Sequence, residues 1–417
     1  MSAPGGLRGA VPQSPRPGRV LLILSLAELF AMTPWFSASA VAPALARAWA
    51  LTPAGTAWLT ISVQVGFVVG ALVSAILTLA DRWSARRLVA GSALLAGVAT
   101  AGVALSPGPD AGIALRLLTG AALAGVYPPA MKIAAGWFGE GRGQAIGILV
   151  GALTLGSAAP HLVRWAVPGE WWRPVLLIAA AAAWAGGLLV LLVPHDGPHA
   201  APSPRFSWSA VPRILRDRAV VLANAGYLGH MWELYAMWTW VVVLVAESER
   251  VRRATGDGDL TGLAALITFG VVGSGAVGCW LGGKYADRFG RTLVTTTAMV
   301  VSGSCALLVG LLFAQPLWAL VPLLLLWGVT VVADSAQFSA AVTELAPREY
   351  VGTALTLQTS LGFLLTCGTI YLLPLVAEAL GWRWAMAALA PGPALGVWAM
   401  LALRRRPEAA RLAGGRG

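Results

Sequence analysis

A chain of 417 residues could form two or three soluble domains, but its composition argues against that class of protein. Hydrophobic residues make up 58% of the chain and charged residues only 11%, against about 25% charged residues in an ordinary soluble domain. So few charges could not cover a soluble surface of this size. Soluble enzymes, disordered chains and disulfide scaffolds are disfavoured, and a helical membrane protein with many spans remains.

Apolar stretches long enough to cross a bilayer occur twelve times in the chain. A hydrocarbon core about 30 Å thick needs roughly 20 apolar residues per helix. Proline, glycine and charged residues separate the stretches. The predicted spans are approximately 20–44, 55–80, 88–105, 111–136, 143–166, 174–194, 219–246, 260–282, 293–314, 317–339, 352–376 and 384–403. The sequence therefore predicts an all-α membrane protein with twelve transmembrane helices.

The net charge of +11 reports the orientation of these helices in the membrane. With the N-terminus inside, cytoplasmic segments and the adjoining span ends hold 21 of the 29 Lys and Arg residues, the outer side holds 7, and Arg116 lies within a span. Such a bias is typical of membrane proteins, in which loops rich in Lys and Arg stay in the cytoplasm. We expect a bacterial inner-membrane location with both termini in the cytoplasm, and no nucleic-acid partner.

The second half of the chain repeats the first. Glu28–Trp35 matches Glu233–Trp240 at five of eight positions, at an offset of 205. Asp81-Arg82 and Asp287-Arg288 are 206 apart. An even number of spans separates the halves, which predicts two pseudo-symmetric six-helix bundles of the same orientation. The expected order is an N-terminal tail (1–19), a first bundle (20–194), a cytoplasmic linker (195–218), a second bundle (219–403) and a C-terminal tail (404–417).

A glycine-containing loop after the eighth span carries a family resemblance. Residues 283–291 read G-K-Y-A-D-R-F-G-R. This loop resembles the G-x-x-x-D-R-x-G-R motif of the major facilitator superfamily of transporters. The first-half copy keeps Asp81 and Arg82, but Leu77 and Ser84 stand at its glycine positions. The motif residues are Asp81, Arg82, Gly283, Asp287, Arg288, Gly290 and Arg291.

The resemblance implies a gating role for these loops. By likeness to the family, Asp81 would meet the start of the eleventh span near Gly352, and Asp287 the start of the fifth span near Gly143. A carboxylate near the positive end of a helix is favourable. These contacts would close the cytoplasmic side and be released as the bundles rock. The alternative interpretation is a set of positive-inside residues with one helix cap.

Four ionisable residues fall within the predicted spans: Glu28, Arg116, Glu233 and Asp334. An ionisable group in hydrocarbon costs several kcal/mol, so it normally faces a cavity or a partner. Gly226, His230, Glu233, Met237 and Trp240 share one face of the seventh span. Glu28, Met32, Trp35 and Ser39 share one face of the first. We expect both faces to line a central cavity between the bundles, where substrate sites of this fold lie.

Proton coupling is the expected use of the buried acids. Burial and a neighbouring carboxylate both favour the neutral form of a carboxyl group, so such a group could exchange protons near neutral pH. We expect Glu233 to be the main protonation site, with contributions from Glu28 and Asp334 and a relay through His230. The alternative is a neutral glutamic acid that joins helices by hydrogen bonds, and a packed histidine beside it.

The sequence leaves the substrate open. The expected cavity residues are Met32, Trp35, Arg116, Tyr227, Met237 and Trp240. Acids and aromatic rings favour a cation or a neutral lipophile as the substrate. Arg116, His161 and Arg164 leave a small organic anion as the alternative substrate. The alternative for Arg116 is a structural role, in which it pairs with an acid or a backbone carbonyl group.

The expected function is secondary active transport of a small solute with H⁺, by a monomer in a lipid bilayer. The chain has no G-x-x-x-x-G-K-[ST] motif for ATP. Three isolated cysteines predict no metal site, and no cofactor is expected. A solute sensor that does not transport is the alternative, and a membrane-embedded enzyme a more remote one.

Overall fold

The computed structural model describes residues 17–138, 141–167, 171–199, 206–253 and 260–417. Most of the predicted N-terminal tail (1–16) and part of the predicted linker (200–205) lie outside these residues. The described chain is helical and contains no strand. The predicted all-α membrane fold is confirmed, because eleven of its helices are long and apolar enough to cross a membrane.

Twelve principal helices follow the predicted spans. They are α1 (Pro17–Met32), α2 (Pro53–Ile76), α3 (Ala85–Leu105), α4 (Pro109–Trp137), α5 (Arg142–Ala166), α6 (Trp172–Leu189), α7 (Arg218–Arg253), α8 (Leu260–Phe289), α9 (Arg291–Leu312), α10 (Leu317–Leu345), α11 (Val351–Leu380) and α12 (Pro391–Arg404). Three of them depart from a continuous span: α1 ends early, α4 has a turn at 124–126, and α10 is interrupted at Asp334. Short helices at Trp382–Ala385 and Met386–Leu389 lead into α12.

The first span is broken, which the sequence reading of one helix over 20–44 missed. After Met32 the chain turns through 33–36 and continues as the short helices Ser37–Ala40 and Ala42–Ala48. Pro34 causes the break, because proline has no N–H for the helical ladder and its ring clashes with the preceding turn. The matching position in α7 is Thr239, and α7 runs unbroken for 36 residues.

The two halves pack by the same plan. α2 packs on α4, α1 on α5 and α6, and α3 on α4 and α6. In the second half α8 packs on α10, α7 on α11 and α12, and α9 on α10 and α12. The two most extensive contacts between the halves are those of α5 with α8 and of α2 with α11. The internal repeat in the sequence is thus a repeat of helix packing.

Glycines allow the closest of these contacts. A Cβ on Gly66 would lie 1.9 Å from the Leu117 carbonyl oxygen, and one on Gly120 would lie 2.0 Å from the Val63 carbonyl oxygen. In the second half a Cβ on Gly278 would lie 1.9 Å from the Val329 carbonyl oxygen. Only residues without a side chain let backbones in a membrane approach so closely.

The loops after α2, α4, α8 and α10 lie at one end of the molecule, here called the basic end because it carries Arg82, Lys132, Arg288 and Arg291. The last residues of the chain fold back onto this end. Gly417 O accepts from the Thr292 N–H at 3.3 Å, and the Ala413 N–H donates to Glu344 Oε2 at 3.0 Å. Residues 404–417, which the sequence predicted as a tail, are therefore packed against the second bundle.

Substituting Gly66 by alanine should lower the melting temperature of the purified protein. The new methyl group would meet the α4 backbone, which cannot rotate away, and overpacking of this kind costs about 1–3 kcal/mol. The matched control is Gly91→Ala on α3, where a Cβ would meet nothing within 4 Å. Thermal unfolding in detergent, followed by tryptophan fluorescence, measures both; equal melting temperatures would contradict the proposed close packing.

Candidate functional site: the central cavity

A cavity of about 690 Å³ lies between the two bundles. Residues of α2, α4, α5, α7, α8, α10 and α11 line it. It reaches the basic end, where its lining includes Asp81, Lys132, Asp287, Arg291 and Glu344. The volume is within the range of about 300–1,000 Å³ that small-molecule sites usually have.

Six aromatic rings close the other end of the cavity; we call them the aromatic seal. Their members are Trp35, Phe36, Phe67, Tyr235, Trp238 and Phe363, three from each bundle. The closest centroids, those of Phe67 and Phe363, are 4.5 Å apart and join α2 to α11. Trp35 and Tyr235 join α1 to α7 at 5.8 Å. Ring pairs at 4.5–7 Å are favourable, so the seal holds the two bundles together at this end.

Arg116 fixes the shape of the chain beside the seal. Its guanidinium group is fully buried and donates to the carbonyl oxygens of Leu59 at 3.0 Å and of Pro34 at 2.6 Å, and also to that of Trp35. The carbonyl groups of Pro34 and Trp35 belong to the break after α1. Arg116 was expected in the substrate cavity, but it is not part of the cavity lining, because the broken helix takes up its donors. Its structural alternative is the one observed.

The face of α7 that lines the cavity differs from the predicted one. The lining residues of α7 are Tyr227, Met231, Leu234, Tyr235 and Trp238. Of the predicted cavity residues, only Tyr227 belongs to the lining. Trp35 lies in the seal, and Met32 and Met237 are fully buried outside the lining. Trp240 donates from Nε1 to the Ile370 carbonyl oxygen at 3.0 Å and lines a separate pocket of about 300 Å³ near Trp382.

Glu233 points into the second bundle, away from the cavity. Its Oε2 accepts from Ser302 Oγ at 2.8 Å, and its Oε1 accepts from Trp327 Nε1 at 2.7 Å. These donors stand on α9 and α10, so the acid joins three helices of one bundle. Neither Glu233 nor Glu28 belongs to the cavity lining, contrary to the expectation that both line one cavity, and the donors that Glu233 meets lie inside its own bundle.

Glu28 lies inside the first bundle and is 1% exposed. Neither carboxyl oxygen has a hydrogen-bond partner among the described residues. Its helix is held closely by α5 and α6, where a Cβ on Gly156 would lie 2.2 Å from the Leu29 carbonyl oxygen. The matching acids of the repeat thus have different surroundings, two donors for Glu233 and none for Glu28.

His230 pairs with Asp334 rather than with Glu233. Its Nδ1 is 2.9 Å from Asp334 Oδ1, and both side chains are buried. The imidazole and the carboxylate are thus in contact, and His230 Nε2 has no partner in the described chain. Asp334 stands at the interruption of α10, directly before Ser335, which lines the cavity. The pair therefore links α7 to the interruption of α10.

The two motif loops differ in their contacts. The Asp287 carboxylate lies at the start of α5, where a Cβ on Gly143 would be 3.1 Å from Oδ2, as the resemblance implied. Asp81 forms an ion pair with Lys132 of its own bundle. Asp81 and Gly352 both line the cavity. The expected gating function of both loops stays a prediction.

The last motif residues brace the second bundle. Arg291 binds the two carboxyl oxygens of Glu344 at 2.6 and 2.8 Å. Gly290 has a φ of +92°, and a Cβ there would lie 2.2 Å from the Gly417 carbonyl oxygen, so both the backbone and the packing require glycine. Arg288 lies over the ring of Phe289 at 5.2 Å, Arg82 is exposed, and Gly283 faces the Gly143 carbonyl oxygen across the bundles.

Sequence reasoning missed several cavity residues, among them Tyr127, Met231, Leu234 and Phe363. Tyr127 had a usable signal, because Pro128-Pro129 follows it and predicts an interruption of α4 that turns a side chain into the cavity. The others sit in stretches that are apolar on all sides, and no periodicity marks them.

The sequence profile of the Major Facilitator Superfamily matches residues 24–369 and, in a second match, 254–417. The 3-(3-hydroxy-phenyl)propionate transporter of Escherichia coli is 25% identical over 306 residues, which are 70% of this chain and 71% of that one. The niacin transporter NiaP of Acinetobacter baylyi is 29% identical over 157 residues, 37% of this chain. That match spans only 35% of the niacin transporter's length.

Solved structures have the same fold. A bacterial homologue of the human lysosomal transporter Spinster, in an inward-facing and unoccupied conformation, superposes with a TM-score of 0.72 at 14% identity, covering 95% of this chain and all of that one. The xylose transporter XylE of E. coli superposes with a TM-score of 0.69 at 15% identity, over 92% of this chain and 96% of that one.

Two six-helix bundles around a central cavity that is open at one end define a membrane transporter. The chain belongs to the Major Facilitator Superfamily, and its twelve-helix fold is that of the family.

Replacing Arg116 by glutamine should destabilise the protein and loosen the aromatic seal. Glutamine cannot reach all three carbonyl oxygens, and each buried acceptor left without a donor costs about 1–3 kcal/mol. Arg116→Lys should also destabilise the protein, because one ammonium group does not replace the planar guanidinium. Melting temperature and tryptophan emission report the two effects.

The control is Arg87→Gln, which removes an exposed arginine of α3. It should leave both readouts unchanged. An Arg116→Gln protein as stable as the Arg87→Gln protein would mean that the break in α1 does not depend on this side chain.

Proposed function

We propose that the protein is a proton-coupled secondary active transporter that carries a small aromatic solute across the bacterial inner membrane by alternating access. The observation that carries this proposal is the arrangement of the cavity, open at the basic end and closed at the other by rings that the two bundles contribute equally. Because the aromatic seal is formed by both bundles, it opens when the two bundles rock apart.

The contacts between the bundles suit such rocking. The α5–α8 contact reaches from Asp287 and Gly143 at the basic end to Gly273 beside Leu155 and Ala158. On the other side of the cavity, Phe67 of α2 and Phe363 of α11 meet in the seal. Rotation that separates these rings and closes the mouth at the basic end would expose the cavity on the opposite side.

The positive-inside bias assigns the basic end to the cytoplasm in this proposal. The structure then corresponds to an inward-open state, in keeping with the similarity to the inward-facing Spinster homologue. The same assignment leaves both ends of the chain in the cytoplasm.

An aromatic solute is proposed on two grounds. The inner part of the cavity is lined by Tyr127, Tyr227, Tyr235, Trp238 and Phe363, and aromatic rings pack well against planar ligands. Two relatives are named for transport of niacin and of 3-(3-hydroxy-phenyl)propionate, both of which contain an aromatic ring.

Glu233 is the proposed principal coupling acid. It receives hydrogen bonds from Ser302 and Trp327 of two other helices, so a small shift of α9 or α10 against α7 would remove the donors that stabilise its charge. His230 stands one turn away on α7, next to the cavity residues Tyr227 and Met231, and pairs with Asp334. A proton from the cavity could reach Glu233 along this face. Glu28, with no donor, is a second buried acid that a proton would neutralise.

The Glu233→Gln variant should lose coupling but keep exchange. In proteoliposomes with a trapped pH dye, adding a neutral aromatic solute such as benzamide, which brings no proton of its own, should change the internal pH of the wild type. With Glu233→Gln the pH change should vanish, while counterflow of labelled solute persists, because the cavity is untouched and glutamine keeps the size of the side chain.

The matched control is Glu378→Gln, an exposed acid on α11, which should behave as the wild type. Persistent proton movement in Glu233→Gln would reject that acid as the coupling site. Binding of the solutes without counterflow in the wild type would favour the alternative of a solute sensor.

A further inference from the structure

Charge and polarity are distributed unequally along the cavity. Every charged residue of its lining lies at the basic end: Asp81, Lys132, Asp287, Arg291 and Glu344. The two cations are already engaged, Lys132 with Asp81 and Arg291 with Glu344. Among the described residues that line the inner part, none carries a charge.

Three tyrosines supply polar groups to this inner part. Tyr127 comes from α4 in the first bundle, and Tyr227 and Tyr235 come from α7 in the second. All three line the same cavity. Their hydroxyls make no hydrogen bond to any described residue, and they are not sealed off from the cavity. A phenol hydroxyl can both donate and accept one hydrogen bond.

The walls around these hydroxyls are apolar. The Tyr227 ring is pressed against Gly362 of α11, Phe363 and Trp238 stand beside Tyr235, and Leu153 of α5 completes the wall. An ionised ligand entering this space would give up its hydration without meeting an opposite charge, which is strongly unfavourable. A neutral ligand with hydrogen-bonding groups would exchange its hydrogen bonds to water for hydrogen bonds to the phenol groups.

We propose that the inner part of the cavity is a binding site for uncharged planar aromatic molecules that carry hydrogen-bonding substituents, with Tyr127, Tyr227 and Tyr235 as the specificity-determining residues. This inference rests on the proposed function, since it names the chemical form in which the transported solute is bound. A carboxylic acid would enter this site as the neutral acid and would itself carry a proton. Because one tyrosine belongs to the first bundle and two to the second, a single bound molecule bridges both moving bodies.

The test compares benzamide with benzoate on the purified full chain in detergent, with tryptophan fluorescence or calorimetry as the readout. Benzamide is neutral at pH of about 5.5 and of about 8, whereas the neutral form of benzoic acid falls about tenfold for each pH unit. Benzamide should bind equally at both values. Benzoate should bind more weakly than benzamide, and more weakly still at the higher pH, in proportion to its neutral fraction.

Phenylalanine variants test the three residues. Tyr127→Phe, Tyr227→Phe and Tyr235→Phe should each weaken benzamide binding about threefold to tenfold, the effect of one neutral hydrogen bond. Tyr371→Phe is the matched control, since Tyr371 is exposed on α11, outside the lining, and should have no effect. Each variant keeps the ring, and its melting temperature shows that it is folded.

Three results would overturn the inference: benzoate binding as tight as that of benzamide at the higher pH, loss of benzoate binding in Arg291→Gln or Lys132→Gln with benzamide unaffected, or benzamide binding unchanged in all three phenylalanine variants. The proposed function fails separately, if bound solutes are not exchanged across proteoliposomes. If benzamide binds in a tyrosine-dependent way but is not exchanged, the binding site is supported and the proposed transport function is rejected.

Discussion

The shape of this molecule depends on how one buried arginine satisfies a broken helix in the membrane. Within the hydrocarbon region, backbone carbonyl groups without partners cost several kcal/mol, so an interrupted helix needs donors from elsewhere. Arg116 supplies them to Pro34 and Trp35. The side chains after Pro34 are thereby fixed on the cavity side of α1, where Trp35 and Phe36 join Tyr235 of the other bundle. A structural arginine thus positions the contact that closes the cavity.

The internal repeat gives the two bundles the same packing and different internal chemistry. Pro34 breaks α1, while Thr239 at the matching position donates to the Tyr235 carbonyl oxygen at 2.6 Å and leaves α7 continuous. The repeated acids differ as well, since Glu233 has two donors and Glu28 has none. One bundle therefore provides a broken helix and an isolated acid, and the other a straight helix with a connected polar cluster.

The separation of charge and aromatic rings within the cavity follows from the energetics of burial. Ion pairs such as Arg291–Glu344 stand at the mouth, where water and the chain's own polar groups compensate their desolvation. Toward the seal the lining consists of aliphatic side chains, aromatic rings and tyrosine hydroxyl groups, without a charge. In the proposed function, a neutral solute would follow this gradient inward and meet both bundles at its end.

The sequence alone determined the number of spans, the repeat, the orientation preference and the motif loop, because hydropathy, charge and local motifs are properties of neighbouring residues. It could not determine which face of α7 meets the cavity. Within the most apolar window of that helix, 83% of the residues are buried, so the apolar pattern has no preferred direction. Glu233 suggested a direction, but its partners are 69 and 94 residues away on α9 and α10. Arg116 likewise acts on carbonyl groups up to 82 residues distant. Such partners are chosen by helix packing, which only the tertiary structure decides.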